Sequence, residues 1–226
     1  MTTTERPIRP EQSMGELAAT LPGASRAFHA LGLDFCCGGA ATLADACSAA
    51  GLDVDAVIGA IRDETRDTDA FERWDERSLD QLMDHLLEHF HEGHRREVPR
   101  LLEMAMKVER VHADKSACPH GLADHVARMG EELELHMQKE EEILFPLIRR
   151  GQGSMAAMPI LVMEQEHRDH GANLARLREL THDYTPPPEA CATWDALYLS
   201  LAELERELMQ HIHLENNVLF PRAARS

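Results

Sequence analysis

His136-Met-Gln-Lys-Glu140, running on to Leu144-Phe145-Pro146, returns as His211-Ile-His-Leu-Glu215, running on to Leu219-Phe220-Pro221. His, Glu, Leu, Phe and Pro keep one register in both copies, and Ile143 matches Val218. A His-x-x-His step precedes each copy, His91 to His94 before the first and His167 to His170 before the second. The separations agree within one residue, 45 from His91 to His136 and 44 from His167 to His211. Self-similarity at a fixed spacing marks a duplicated structural unit. The repeated residues are metal-ligand types, so the unit is a helical hairpin carrying half a metal site.

Residues four apart on a helix lie on one face, about a turn from each other. His136 with Glu140, and His211 with Glu215, can each send an imidazole and a carboxylate to one spot in a bundle interior. Nitrogen ligands combined with hard carboxylates suit iron or manganese, and the lack of thiolates in the set argues against structural zinc. Four imidazoles and two bridging carboxylates, with one shared oxo or hydroxo ligand, give each of two metals about five ligands. That leaves an open position for a small molecule. A lone His-x-x-x-Glu on an exposed helix is ordinarily a solvated pair; the matched copies with histidines upstream set this case apart. Spacing does not decide between His91 and His94, or between His167 and His170. His85, His89, His125, His182 and His213 read as surface residues or as supports for the ligands. Glu132, one turn before His136, and Glu166, beside His167, read as supports for metal-bound rings or carboxylates lining a route to the metals, and equally as solvated charges.

The 226 residues suffice for a substantial core, and scarce aromatics with plentiful Met and Ala favour helix packed on helix. A formal charge of −17 excludes nucleic acid as a partner and disfavours anionic membranes. No apolar run reaches membrane-spanning length, and Met1-Thr-Thr-Thr-Glu-Arg-Pro7 lacks the apolar core of a signal peptide. Five cysteines, two of them the adjacent Cys36 and Cys37, do not make a disulfide framework. The chain is expected in the cytoplasm with its thiols reduced.

Capping signals divide the chain. Ser13-x-x-Glu16 and Thr42-x-x-Asp45 start short helices, Ala24 to Leu31 is another that stops at Gly32, and Leu52 to Ile61 carries a further one. Residues 1–65 thus form a small helical domain around Cys36-Cys37-Gly38-Gly39. The charged, weakly periodic stretch from Arg62 to Arg77 contains the linker, placed at 66–77, and residues 78–226 form the bundle. Leu79, Leu82, Met83, Leu86, Leu87, Phe90, Leu101 and Leu102 make the stripe of its first helix, which Pro99 should kink or split. A second helix is expected from about His120 to Arg150 and a third from Pro159 to His182. After Thr185-Pro-Pro-Pro188 a fourth extends from Glu189 past Asn217. The fold class is all-α, an antiparallel four-helix bundle behind a small cysteine-pair domain.

The spaced histidines with two His-x-x-x-Glu helices resemble the hemerythrin-like domain. Asp34-Phe-Cys-Cys-Gly-Gly39, Val108-Glu-Arg-Val-His-Ala-Asp114, Cys118-Pro119, Pro186-Pro-Pro-Glu-Ala-Cys191 and Leu214-Glu-Asn-Asn-Val-Leu-Phe-Pro221 carry the likeness further. Together they resemble the RIC (Repair of Iron Centres) proteins, which join an ScdA N-terminal-like cysteine domain to a hemerythrin-like bundle. The resemblance implies a non-haem di-iron centre, oxo- or hydroxo- and carboxylate-bridged, on His91, His136, Glu140, His167, His211 and Glu215. It implies repair of iron–sulfur clusters damaged by nitrosative and oxidative stress, with damaged iron–sulfur proteins as partners and nitric oxide or another small molecule at the open position. Iron donation and nitric oxide reductase-type catalysis both fit, and a homodimer is allowed. The alternative is a hemerythrin-like sensor of nitric oxide or oxygen without repair activity. A ferritin-like oxidase would instead favour Glu-x-x-His pairs. Oxygen-carrying hemerythrins have a further histidine with no equivalent here.

Cys36 and Cys37 are the functional pair by that resemblance. They precede Gly38-Gly39 and a helix start, whose amides and dipole would stabilise a thiolate, and adjacent cysteines are poor structural staples. The expected role is to relay thiol, iron or nitrosyl chemistry to a client. Cys47, Cys118 and Cys191 carry no spacing signal and read as structural; His112 receives no role.

Overall fold

The computed structural model describes residues 7–66 and 71–225, which are helical with no strand among them. Residues 1–6, where a signal-peptide core was not expected, and part of the expected linker (67–70) lie outside the described residues. The chain divides into two units, Met1–Ser78 with Ile212–Arg222, and Leu79–His211 with Ala223–Ser226.

In the first unit, α1 (Met14–Thr20) begins where Ser13 Oγ accepts the Glu16 amide at 3.1 Å. Next come α2 (Ala24–Ala30), α3 (Leu43–Ala50) and α4 (Val54–Arg66). Thr42 Oγ1 caps α3 by accepting the Asp45 amide at 3.1 Å, so both expected caps form. The charged residues 62–66, assigned to the linker stretch from sequence, are the last turn of α4. Met14, Leu17, Phe28, Phe35, Leu43 and Ile61 fill the interior.

Residues 212–222 belong to this unit because Asn217 ties them to the cysteine loop. Its Nδ2 donates to the Phe35 and Cys36 carbonyls, both at 3.2 Å, and Asn216 Nδ2 donates to the Cys36 carbonyl at 3.1 Å. The amide fits only because its neighbours lack side chains: a Cβ on Gly15 or Gly39 would lie 2.3 or 2.1 Å from Asn217 Oδ1. Gly39→Ala should therefore turn Asn217 away from the loop. The expected loss, read by urea denaturation, is about 1–3 kcal/mol.

The second unit contains α5 (Leu79–His85), a π-helical turn (Leu86–His91) and α6 (Glu92–Val111) as one continuous run. A second run joins α7 (Leu122–Lys139), a π-turn (Glu140–Leu144) and α8 (Phe145–Arg149). After α9 (Gly153–Thr181), the final run joins α10 (Ala192–Leu214), a π-turn (Glu215–Leu219) and α11 (Phe220–Ala223), crossing between units after His211. Helix α7 packs against both α6 and α9 around Leu82, Met83, Leu101, Val126, Met129, Leu133 and Leu201.

Two proline expectations need correction. Helix α6 runs through Pro99 unbroken, and the departure from α geometry lies upstream at Leu86–His91. Helix α9 starts at Gly153, so Pro159 sits inside it. The intervening Met155-Ala-Ala-Met158 contains good helix formers, which extend the helix past the single hydrogen bond that proline forfeits.

The prolines of the repeated Leu-Phe-Pro act differently. In the two copies the Phe145 amide donates to the Glu140 carbonyl and the Phe220 amide to the Glu215 carbonyl, five residues back. Pro146 and Pro221 follow at once, with no amide to donate and a ring that crowds the carbonyl four residues earlier. Widening the turn by one residue relieves that crowding. All three π-turns begin or end on a residue of the expected ligand set, His91, Glu140 or Glu215, a common placement for π-bulges.

Candidate metal centre

Within the second unit, His91, His136, His167 and His211 are at most 1% exposed and Glu140 is fully buried. Glu140 Oε2 lies 3.4 Å from His91 Nε2 and 3.5 Å from His136 Nε2, so one carboxylate serves two imidazoles. His136 and His167 face each other through their Nε2 atoms at 3.2 Å. Ligand atoms of His91, Glu140 and His211 all fall within 4.8 Å of one another, as do those of His136, Glu140 and His167. Glu215 follows His211 by four residues in the same helical run and is fully buried. His94 and His170 are also buried but lie outside these groups, so the geometry favours the first member of each His-x-x-His step.

The outer nitrogens of two rings are held by carboxylates. Glu141 Oε1 accepts from His91 Nδ1 at 2.7 Å, and Glu166 Oε2 accepts from His136 Nδ1 at 3.0 Å. With the proton on Nδ1, each Nε2 presents its lone pair inward, the arrangement that orients metal-binding histidines. Glu166 also takes an ion pair from Lys139. Its carboxyl is lowered to about 2, chiefly by the His136 hydrogen bond, against burial. Burial pushes Glu141 up, but hydrogen bonds from Arg95 and His91 outweigh it and leave the carboxyl below its ordinary range. Arg95 donates to Glu141 Oε1 and to Glu134 Oε2, each at 2.8 Å. Glu166 thus resolves as a support, whereas Glu132 accepts from Asn173 Nδ2 at 2.7 Å.

Sequence reasoning missed Glu141 and Arg95. The only signal was the acidic run Glu140-Glu141-Glu142, which does not say which carboxylate meets His91 fifty positions away. Glu166→Gln keeps a hydrogen-bonding shape but withdraws the charge behind His136. Chelator competition should show metal affinity about 10–100-fold weaker, with the helical spectrum unchanged.

The remaining histidines divide differently from expectation. His125 is buried, with Nε2 bonded to the Asn173 carbonyl at 2.8 Å, and is structural. His213 is fully buried and meets Asn217 through Nδ1; burial lowers its pKa to about 4, so the ring is neutral. His170 packs edge-on to His136 with centroids 5.1 Å apart, and burial lowers its pKa to about 3. His85 and His89 stack on each other at 5.2 Å, and His182 ends α9 with φ 51°.

The donor set fits a cation of borderline hardness: buried nitrogens and carboxylate oxygen without thiolate.

In the first unit, the Cys36 and Cys37 amides both donate to Asp34 Oδ1, at 3.1 and 2.9 Å, and the two sulfurs lie 3.9 Å apart. The thiolate argument from a helix start fails for Cys36. The next helix begins only at Leu43, and Cys36 is buried. Its pKa is raised well above the usual value by the hydrogen bond with Cys37, by burial and by the nearby Asp34 charge. Asp34, Cys36 and Cys37 nevertheless bring three ligand atoms within 4.8 Å of one another. Cys47 and Cys118 are buried, as a structural reading requires; Cys191 is exposed.

Residues 52–223 match the hemerythrin HHE cation binding domain, and residues 10–65 match ScdA_N, a domain of unknown function. The iron-sulfur cluster repair protein YtfE of Dickeya chrysanthemi is 47% identical over 215 residues, covering 95% of this chain and 97% of that protein. The chain belongs to this hemerythrin-like repair family. Repair-family proteins of the same name from Yersinia pseudotuberculosis and Cronobacter sakazakii are also 47% identical, covering 95% and 94% of the chain and 97% and 96% of their own lengths. The resemblance read from the repeats and the cysteine loop is thereby established. Among the described residues no helix is long and apolar enough to cross a membrane.

Proposed function

We propose that this chain restores iron–sulfur clusters damaged by nitric oxide or peroxide, through a non-haem di-iron centre on His91, His136, Glu140, His167, His211 and Glu215. The repair role follows the name borne by relatives that match nearly the whole chain. The single observation that carries the centre is Glu140, whose one carboxylate joins the His91–His211 and His136–His167 groups. Glu215, its counterpart in the duplicated motif, supplies the second bridging carboxylate in this reading.

Iron held by these residues would supply Lewis acidity and redox capacity. Glu141 and Glu166 hold the His91 and His136 rings in the tautomer that offers Nε2 inward. Buried Phe145 stacks on the His91 ring with centroids 5.9 Å apart, an apolar wall that limits bulk water there. Cys36 and Cys37 pass thiol, iron or nitrosyl chemistry to the client in this scheme, with Cys37 the more accessible sulfur. The protein works in the cytoplasm on damaged iron–sulfur proteins.

The test mixes a nitric oxide-damaged aconitase-type enzyme with the iron-loaded chain. Recovery accompanied by iron loss from the bundle supports donation; recovery with iron retained supports chemistry at the centre. No recovery, with nitric oxide still bound, would replace repair by sensing. The Cys36→Ala, Cys37→Ala double variant should keep its iron and lose repair, and unimpaired repair would remove the cysteine relay.

A further inference from the structure

Helix α6 ends at Val111 with His112 as its capping residue, helix α10 begins just after Cys191, and these two ends meet within the second unit. Cys191 Sγ lies 3.2 Å from His112 Nε2, although the residues are 79 positions apart. The imidazole is 7% exposed, while the thiol faces solvent. Trp194 positions the ring from one side, with centroids 5.0 Å apart at 35°. A nucleophile within hydrogen-bond reach of a base that packing holds in place is the arrangement that activates a thiol. The exposed sulfur also sits at the amide end of the 23-residue α10, where the helix dipole favours negative charge.

We propose that Cys191 and His112 form a reactive thiol site, separate from the metal centre and the Cys36–Cys37 loop, that undergoes exchange with small disulfides. His112 takes the Cys191 proton. The thiolate then attacks one sulfur of R–S–S–R, forming the mixed disulfide Cys191–S–S–R and expelling R–S⁻, which recovers the proton from the imidazolium. The small disulfide is the oxidant: its released half is reduced as Cys191 is oxidised to the mixed disulfide, and a small thiol reverses the step.

The surroundings agree with this chemistry. The Cys191 pKa is lowered, first by the Trp194 amide and then by the Thr193 amide, with Lys107 of α6 contributing. Lys115, which donates to the Glu189 carbonyl at 3.0 Å, adds a second cation beside the same junction. The other cysteines of this kind are buried, Cys47 and Cys118 both having raised pKa values.

The experiment treats the full, iron-loaded chain with oxidised glutathione across a pH series, and locates the adduct by peptide mass mapping. Cys191 should be modified first, at pH 6 about fivefold faster than a free small-molecule thiol. Its rate should also reach half-maximum at a lower pH than that thiol. Cys191→Ser should remove this fast adduct, and His112→Gln should shift the pH–rate curve toward that of an unassisted thiol. Modification at Cys37 ahead of Cys191, or a Cys191 profile matching the free thiol in the unaltered chain, would overturn the proposal. The second of these needs no variant, so a misfolded His112→Gln chain would not shelter it.

Discussion

Glu140→Gln is expected, with the proposed di-iron centre, to remove both irons together, leaving a chain that folds but neither holds metal nor repairs clusters. Glu140 Oε2 lies within 3.5 Å of an imidazole from each group, His91 and His136. The amide matches the carboxylate in shape but carries no charge, so in the proposed centre a bridging position would be lost to both metals at once. A ligand serving only one group, such as His167, should instead weaken one metal more than the other. Metal analysis beside near-unchanged helical content checks the first expectation. A Glu140→Gln chain that retains one tightly held iron would show that the two groups bind independently.

Removing the metal from the unaltered chain is expected to cost the bundle much of its thermal stability. Four imidazoles and Glu140 occupy positions at most 1% exposed, where an unneutralised charge is expensive. A metal present at about a thousand times its dissociation constant stabilises the folded state by about 4 kcal/mol. For a chain of this size each kcal/mol shifts the melting temperature by about 2–4 °C, so chelation should lower it by roughly 10 °C. The sign then reverses for one substitution. In the metal-free chain, Glu140→Leu removes the buried charge and should raise stability by about 1–4 kcal/mol over metal-free wild type. Calorimetry of both proteins with and without chelator separates the two effects. Equal melting temperatures for loaded and stripped wild type would mean the centre contributes nothing to folding.

The helices and the ligand candidates were legible because both are periodic. The Leu79–Phe90 stripe, the caps at Ser13 and Thr42 and the duplicated His-x-x-x-Glu are all written at separations of a few residues, where helix geometry is deterministic. The Leu-Phe-Pro repeat was visible too. Its consequence was not, because a proline six residues after Glu140 or Glu215 can end, kink or widen a helix depending on what the carbonyls meet. Glu141 under His91, and Arg95 under Glu141, depend on pairing across 50 and 46 positions, which local spacing does not encode. The cysteines show the same divide. Cys36 was expected to be an activated thiolate from the helix start after it, but the Cys37 hydrogen bond, burial and the Asp34 carboxylate push its pKa the other way. Cys191 had no local signal at all, and its partner comes from the far end of another helix.

Metal content together with a Mössbauer spectrum of the isolated, iron-loaded chain tests the central claim most directly. A di-iron centre predicts two irons per chain, coupled as a bridged pair. A single iron, zinc in its place, or two uncoupled ions would contradict it.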